Sequence, residues 1–395
     1  MTSLSKKQHE QRNEIIEQLY LKGPLSRADL AKILQITPAT MTELTGYLIK
    51  EGLLLEIGEE LDSQKAGRRK ILLDIVANYC HYIGVELTED RLILCLTDNR
   101  GVCLETQKIG ADKPLNEQEL VSFIQQFIQQ YSDYTIKAIG IAVPGHYSKD
   151  SHTILTNNIL WSNFDLTKVI SAFDFPVYVK NNVKCMALSE LYSQENDKLS
   201  NFLFLNLRRG IFAAYVYNSK IYGDTNLFVG EIGHVVVNHS GSTCECGKDG
   251  CLQTYAGAEW LLRKARYAYT YSKETRLKDL VNNAEEIEIS HLITAYHMGD
   301  DFVRHLLEQA IEYLALQLNN CLMLLDVDAI YLHGELFADS SLAEKLTAKI
   351  DQYPSLLKLK RNIKMTVKAY KSERGALGGA MLAVYKHFIH QKIEG

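Results

Sequence analysis

The sequence predicts an α/β protein, with an N-terminal winged helix-turn-helix in front of a two-lobed body. Its first 75 residues hold short helix signals that end in a strand pair. The remainder opens twice with the same strand–hairpin texture, each time followed by alternating helices and strands. The length, 395 residues, suits two or three domains. Hydrophobic residues make up 46% of the chain and charged residues 23%, a globular balance that excludes general disorder. The formal net charge of −5 gives no global attraction to nucleic acid.

Residues 8–22 place Ile15, Ile16, Leu19 and Tyr20 at helical spacing, and Gly23-Pro24 ends that element. Ser26 is positioned to cap a second helix, SRADLAKIL, with Asp29 at the capping-box position. Its expected apolar face is Leu30, Ile33 and Leu34. Ile36 fills the turn, and Thr37 caps a third helix with Pro38 in its first turn. Met41, Leu44 and Leu48 face inward from that helix, and Gly52 ends it. LLLEIG and RRKILLDI then read as a hairpin.

Helix, helix, turn, helix, hairpin is the winged helix-turn-helix order. The third helix offers small and polar groups outward, which suit base edges in a major groove. Residues 1–75 hold eleven Lys/Arg and eleven Asp/Glu, so phosphate contact must come from local clusters. One such cluster is Lys65, Arg68, Arg69 and Lys70 at the wing. The candidate DNA contacts are Pro38, Ala39, Thr40, Thr42, Glu43, Arg68 and Arg69. The alternative is a small helical interaction domain with a solvated basic loop.

Residues 81–109 read as three strands joined by tight turns. A helix follows with Leu120, Phe123, Ile124, Phe127 and Ile128 on one side, then a buried strand, IKAIGIAVPG. Residues 176–181 give a strand and 183–193 a helix. FLFLNLRRGIFAAYVYNSKIYG repeats the hairpin texture. Helices are expected at 257–272, 275–283, 288–298 and 302–325, then a strand (DAIYLHG) and a helix (SLAEKLTAKIDQY). VKAYKSERGALGGAMLAVYKHFI starts as a strand and closes as a helix. The expected domains are residues 1–75, a first lobe 76–190 and a second lobe 191–395, with the last helix a candidate to return to the first lobe. Duplicated lobes of this kind hold ligand in the cleft between them.

The N-terminus has no apolar signal core and no run of about 18 apolar residues occurs, so a cytoplasmic protein without membrane partners is expected. Eight cysteines in a reducing compartment are not a disulfide framework. Cys80, Cys95, Cys103, Cys185 and Cys321 are scattered and expected as small core residues. The other three sit in the pattern His234-x9-Cys244-x-Cys246-x4-Cys251. Three thiolates and one imidazole make the donor set of a closed structural Zn2+ site. Gly241, Gly247 and Gly250 let the chain fold tightly round the ion, and His239 is an alternative to His234. The competing reading is three reduced cysteines in a loop.

GEIGH followed by CxCGxxGCL resembles the signature of the ROK family (repressors, open reading frames and sugar kinases). Residues 76–390 fit its length and order, and the winged helix-turn-helix in front is similar to its transcriptional-regulator branch. The resemblance implies an actin-like, hexokinase-like (ribonuclease H-like) body, a sugar effector, a double-stranded DNA operator, and a homodimer or tetramer. It also implies that kinase chemistry is lost. Where the family's first phosphate loop has an Asp and glycines, this chain has Val85-Glu86-Leu87-Thr88. Where the catalytic Asp follows an Asn, it has Asn181-Asn182, and an amide cannot take a proton from a sugar hydroxyl. The glycine turn of the second phosphate loop is Leu207-Arg208-Arg209-Gly210. The adenosine-side glycines are Leu332-His333-Gly334-Glu335.

The sugar contacts implied by the resemblance are Asn158 or its neighbour Asn157 in NNILW, then Asn181, Asn182, Glu231, His234 and Gln253. Asn182 and Gln253 stand where relatives carry carboxylates. Arg208 and Arg209 are candidate contacts for a phosphate on the sugar, by charge-assisted bidentate hydrogen bonds. A repressor of carbohydrate-utilisation genes is the expected function. The alternatives are a regulator controlled by a protein partner, with a vestigial sugar site, and a residual sugar kinase.

Overall fold

The computed structural model describes residues 4–59, 70–88, 91–110, 115–156, 161–193, 199–272, 274–353 and 363–392. The chain forms two compact units, Met1–Lys198 with Ser372–Gly395, and Leu199–Lys371. Residues 1–75 therefore share a compact unit with the lobe that follows them.

The head of the first unit comprises α1 (Lys6–Lys22), β1 (Leu25–Ser26), α2 (Arg27–Leu34), α3 (Pro38–Lys50), β2 (Leu54–Glu59) and β3 (Ile71–Ile75). The three strands form one antiparallel sheet in the order β1-β3-β2. Each helix starts where a side chain answers an orphan N–H group. Ser5 and Gln8 make a reciprocal box on α1, Ser26 accepts from the Asp29 amide, and Thr37 accepts from the Thr40 amide. Ile15, Ile16, Leu19, Leu30, Met41, Leu44, Leu48 and Leu73 fill the core between them. Ile33 departs from expectation, being 36% exposed while Ala31 is buried. The buried face of α2 is centred between Leu30 and Ala31, and Ile33 lies roughly 110° round the helix from that centre.

The body of the first unit begins with β4 (His81–Leu87), β5 (Arg91–Thr97), β6 (Cys103–Gly110), α4 (Glu117–Gln130) and β7 (Ile136–Val143). A short hairpin, β8 (His146–Tyr147) with β9 (Ile154–Leu155), precedes α5 (Thr167–Ser171), β10 (Val177–Asn181) and α6 (Asn182–Leu191). Among the described residues the sheet has five strands, β6-β5-β4-β7-β10. β4, β5 and β6 are antiparallel neighbours, while β7 and β10 run parallel to β4. Leu120, Ile124 and Phe127 of α4 pack with Ile83, Val85, Leu94 and Ile141 on one face. Cys103 corrects the expectation of a core cysteine: it is exposed on β6, which among the described residues pairs only with β5.

The second unit repeats the plan with β11 (Phe202–Leu207), β12 (Ile211–Tyr217) and β13 (Lys220–Ile221), then α7 (Gln253–Ala256), α8 (Ala258–Tyr271), α9 (Ile289–His297) and α10 (Asp301–Leu324). β14 (Ala329–His333), α11 (Ser340–Asp351) and β15 (Lys364–Val367) complete it. Its sheet order is β13-β12-β11-β14-β15, with antiparallel hairpins first and parallel strands after. The helix expected at 275–283 is instead a 3-10 turn, Arg276–Asp279, followed by a second at Ala284–Glu286. Asp300 accepts from the Thr275 hydroxyl and the Arg276 amide, and Asn283 accepts from the amides of Glu285 and Glu286. These local bonds compete with a continuous helix.

The chain crosses back at Ser372, and α12 (Arg374–Ala383) continues as a π-helical turn, Val384–Ile389, in the first unit. It lies on the other face of the first sheet through glycines. A Cβ on Gly84 would overlap the Ala376 carbonyl, and one on Gly140 would overlap that of Gly379. Among the described residues, no helix is long and apolar enough to cross a membrane.

Candidate metal centre and ligand-binding residues

The segment 231–253 is built by its turns. A 3-10 turn, Ile232–His234, presents the imidazole of His234. Val236 bridges Cys251, and Thr243 bridges Asp249, so the chain doubles back on itself. The Cys244 amide donates to the Lys248 carbonyl (2.8 Å) and the Gly247 amide to the Cys244 carbonyl (2.9 Å), closing a knuckle round Cys246. Gly250 is required twice: its φ is +70°, and a Cβ there would overlap the Asn238 carbonyl.

The result is that one ligand atom from each of His234, Cys244, Cys246 and Cys251 lies within 4.8 Å of the others. His234 Nδ1 is 3.5 Å from Cys244 Sγ, and Cys246 Sγ is 3.5 Å from Cys251 Sγ. His239 is exposed and outside this group. These four residues could hold one metal ion. Cys244 and Cys251 are buried, and burial pushes both thiols up, so a metal must displace protons to bind them. A second layer supports the loop. Lys248 Nζ donates to the His234 carbonyl (2.6 Å), and Trp260 Nε1 donates to Glu245 beside Cys244 (3.3 Å). Arg263 covers the Trp260 ring at 3.7 Å. The sequence singled out none of Glu245, Trp260 or Arg263, since nothing in their spacing marks them as neighbours of the cluster.

The ligand candidates fall in both units. In the first, Asn181 ends β10 and is 5% exposed. Its Oδ1 accepts from the Lys184 amide (3.0 Å), capping α6, and its Nδ2 donates to the Gly145 carbonyl (2.7 Å). Asn182 Oδ1 accepts from the Val183 amide (2.9 Å). Asn157 and Asn158 lie outside the described residues.

In the second unit Gln253 is also 5% exposed, and both ends of its amide hold backbone. Oε1 accepts from the Ile211 amide (3.0 Å), and Nε2 donates to the Arg209 carbonyl (2.7 Å). Gln253 therefore clamps the β11–β12 turn, the turn that carries Arg208 and Arg209. It also packs on Gly233, next to His234, where a Cβ would come 3.0 Å from its Oε1. Arg209 reaches toward Glu259 (3.9 Å). Arg208 stacks over Tyr370 (5.6 Å), whose ring also stacks on His333 (ring centroids 5.6 Å, 29°), and His333 Nδ1 pairs with Asn206 Oδ1 (2.8 Å). Glu231 precedes the His234 turn and is partly exposed.

On the head, Pro38, Ala39, Thr42 and Glu43 are exposed at the start of α3, and Thr40 is half-buried. Two of the threonine hydroxyls are already engaged. Thr40 pairs with Thr37 (2.9 Å), and Thr42 donates back to the Pro38 carbonyl (2.8 Å). Each can still accept a hydrogen bond. Of the wing cluster, Lys65, Arg68 and Arg69 lie outside the described residues. Lys70 is tied to Asp29 at 2.8 Å. Burial alone would raise the Asp29 carboxyl, but hydrogen bonds from Lys70 and Ser26 outweigh it and bring it below the usual range.

Comparison with known proteins agrees with this architecture. The chain is 29% identical over 368 residues to the xylose repressor of Caldicellulosiruptor bescii, covering 90% of each chain. It is 26% identical over 368 residues to the DNA-binding transcriptional dual regulator NagC of Escherichia coli, covering 91% of this chain and 88% of that one. A crystal structure of a ROK family transcriptional regulator, a homologue of the Escherichia coli MLC protein, superposes with a TM-score of 0.80 at 21% identity over 98% of both chains, which shows the fold. Residues 82–386 match the ROK family, and the chain belongs to it.

Proposed function

We propose that this protein is a cytoplasmic, sugar-responsive transcriptional regulator that represses carbohydrate-utilisation genes. The observation that carries the reading is the extent of the likeness to named repressors. It covers 90% of the chain, more than residues 82–386 alone supply, so it reaches into the head. The head acts as a winged helix-turn-helix, with Pro38, Ala39, Thr40, Thr42 and Glu43 at base edges and Arg68 and Arg69 on phosphates. A homodimer or tetramer presents the heads in pairs to a palindromic operator.

The effector is a sugar or sugar phosphate recognised by Glu231 and His234 together with Asn157, Asn158, Asn181 and Asn182. Arg208 and Arg209 are the candidate phosphate contacts, and Gln253 acts through the turn it clamps. The effector changes operator affinity only by the difference in its own affinity for the two states. A structural Zn2+ held by His234, Cys244, Cys246 and Cys251 stiffens the 231–253 segment. Three sulfurs and one nitrogen suit that ion, and four protein ligands leave no open position for catalysis. The chain does not act as a kinase, because an amide at Asn182 cannot serve as general base.

The test is a thermal-shift screen of the zinc-loaded protein against free and 6-phosphorylated sugars, each hit followed by operator binding with and without it. A free sugar that raises the melting temperature and weakens DNA binding supports the reading; a 6-phosphate hit adds the arginine contacts. ATP turnover above the protein-free rate with any hit would overturn the assignment as a non-enzyme. One observation favours a second reading, control by a protein partner. The amides of Asn181 and Gln253 are both engaged by backbone, as expected of a vestigial sugar site. A blank screen together with capture of a partner that changes DNA affinity would select it.

A further inference from the structure

The sulfurs of the Cys/His loop differ in their access to solvent. Cys244 is 3% exposed and Cys251 is fully buried, whereas Cys246 is exposed. A cluster with a structural task alone is best served by burying every sulfur, because oxidants attack thiols where they can reach them.

The exposed sulfur also has a partner in range. Cys246 Sγ lies 3.5 Å from Cys251 Sγ. A disulfide needs about 2.05 Å, so the sulfurs must close by roughly 1.5 Å, which side-chain rotation can supply. The backbone on both sides is already fixed. On the Cys246 side, the Cys244 amide donates to the Lys248 carbonyl (2.8 Å) and the Gly247 amide to the Cys244 carbonyl (2.9 Å). On the Cys251 side, the Gly250 amide donates to the Ser242 carbonyl (2.9 Å) and the Leu252 amide to the Val235 carbonyl (2.9 Å). None of these bonds uses a sulfur, so a bridge leaves them in place. A bridge from Cys246 to Cys244 would instead close over a single residue inside the knuckle. Cys244 Sγ is moreover engaged with His234 Nδ1 (3.5 Å) and Glu245 Oε2 (3.4 Å).

Cys103 is the internal comparison. It is exposed as well, but its Sγ faces Thr106 Oγ1 (3.3 Å), which cannot resolve an oxidised sulfur.

We propose that Cys246 and Cys251 are a peroxide-sensitive pair, with Cys246 attacking and Cys251 resolving, and that their disulfide dismantles the metal centre and loosens residues 231–253. The proposal rests on the reading of the cluster as a Zn2+ site. The oxidant is hydrogen peroxide. The Cys246 sulfur attacks one peroxide oxygen: an S–O bond forms, the O–O bond breaks, and the departing hydroxide takes a proton and leaves as water. The Cys251 sulfur then attacks Cys246 Sγ: the S–S bond forms, the S–O bond breaks, and a second hydroxide leaves as water in the same way. The two sulfurs give up two electrons, and one peroxide becomes two waters. His234 and Cys244 remain, and two donors do not close a tetrahedral site. Exchange with a reduced dithiol restores both thiols. The loosened segment carries Glu231 and His234, the effector contacts of the proposed reading.

The test uses the full-length, zinc-loaded wild-type protein. It is treated with hydrogen peroxide, alkylated, cut with trypsin without reduction and mapped by mass spectrometry. Trypsin cuts after Lys248, so the bridge links residues 221–248 to 249–263, and fragmentation between Cys244 and Cys246 assigns the partner. At a dose that leaves Cys103 open to alkylation, the Cys246–Cys251 link should appear and about one Zn2+ per chain should be released. Hydrogen–deuterium exchange across 231–253 should become about tenfold or more faster. A dithiol with added Zn2+ should reverse all three changes. A link through Cys244, oxidation of Cys103 first, or zinc release without the link overturns the pair. The link with zinc retained overturns the dismantling, and zinc release with unchanged exchange overturns the loosening. Protein that takes up no Zn2+ at all removes the metal reading and the proposal with it. Protein that keeps both its zinc and its thiols in peroxide sinks the proposal alone.

Discussion

The two five-stranded sheets share one topology; both bury aliphatic side chains against helices, and they differ in what else holds them. In each, the first strand hairpins with the second and third and runs parallel to the fourth and fifth. The first sheet is stitched to α12 through glycines that bring backbone against backbone. The second buries long aliphatic side chains, Leu203, Leu205 and Leu332 among them, against Leu261, Leu307 and Leu314 of its helices, and carries the Cys/His loop in addition. The ends of the two first strands differ in the same spirit. Near the end of β4, Glu86 is fully buried and lies against Gly375, whereas the Arg208-Arg209 turn after β11 is partly exposed and is clamped from behind by Gln253. A shared topology thus fixes where a loop emerges but not how it is supported, and each support can be removed separately.

The largest effect is expected at the metal loop, which only the second unit has among the described residues. Cys251→Ser, or a strong chelator on the wild type, should cost roughly 3–5 kcal/mol, part of the roughly 10–16 kcal/mol that structural zinc sites contribute. Exchange across 231–253 and α7 should rise while β4–β7 stay protected. Zinc analysis of the purified protein is the companion measurement. Equal loosening of both units would mean that the loop is not a local support.

Next comes the glycine stitch of the first unit. Gly140→Ala drives a Cβ into the Gly379 carbonyl, and backbone on both sides leaves little room to yield. A loss of about 2–4 kcal/mol in denaturant unfolding is expected, at the upper end of overpacking costs. A loss below about 1 kcal/mol would show that α12 can slide on its sheet.

These two supports were unequally legible. The Cys/His loop could be read because its four candidate donors lie within 18 residues, and its turns follow from glycines in the same stretch. The helix closing the chain was legible too, as was the order of the head, from caps at Ser26 and Thr37. What the sequence could not reveal was long-range pairing between ordinary residues. Arg12 meeting the Phe388 carbonyl spans 376 positions and uses no motif. Gln253 is a ligand candidate through its place after GCL in the family resemblance; that its two amide ends also hold the Ile211 amide and the Arg209 carbonyl is visible only in the fold. The 275–283 helix failed for a related reason, since Asp300, distant in sequence, takes the Thr275 and Arg276 donors.

The third effect falls on the β11–β12 turn that Gln253 clamps. Gln253→Glu keeps the acceptor for the Ile211 amide but loses the donor to the Arg209 carbonyl, and it buries a carboxylate facing that oxygen. The cost should be about 1–3 kcal/mol at neutral pH, as for a buried acceptor that loses its donor. Its sign with pH is fixed. Burial against a carbonyl raises the folded-state pKa of the new carboxyl above the unfolded value of about 4.3. The folded variant therefore binds the proton more tightly. Relative to wild type, it is most stable below the unfolded pKa and loses that advantage as pH rises through the folded pKa. Urea titrations of both proteins across this range check it. A difference that stays flat with pH would mean that the turn moves away and hydrates the carboxylate.

The smallest effect is the control for the whole comparison. Gly210 sits in the Arg208-Arg209 turn, and it is exposed. Nothing lies within 4 Å of a Cβ placed on it, and its φ is not in the left-handed region. Gly210→Ala should therefore change stability by no more than about 0.5 kcal/mol, and a slight gain is expected because alanine restricts the unfolded chain. If the turn is held from behind by Gln253 alone, ligand-induced melting shifts should also survive the substitution. A loss above about 1 kcal/mol would place an unseen contact on the outer side of the turn. The turn would then be supported from two sides and not by Gln253 alone.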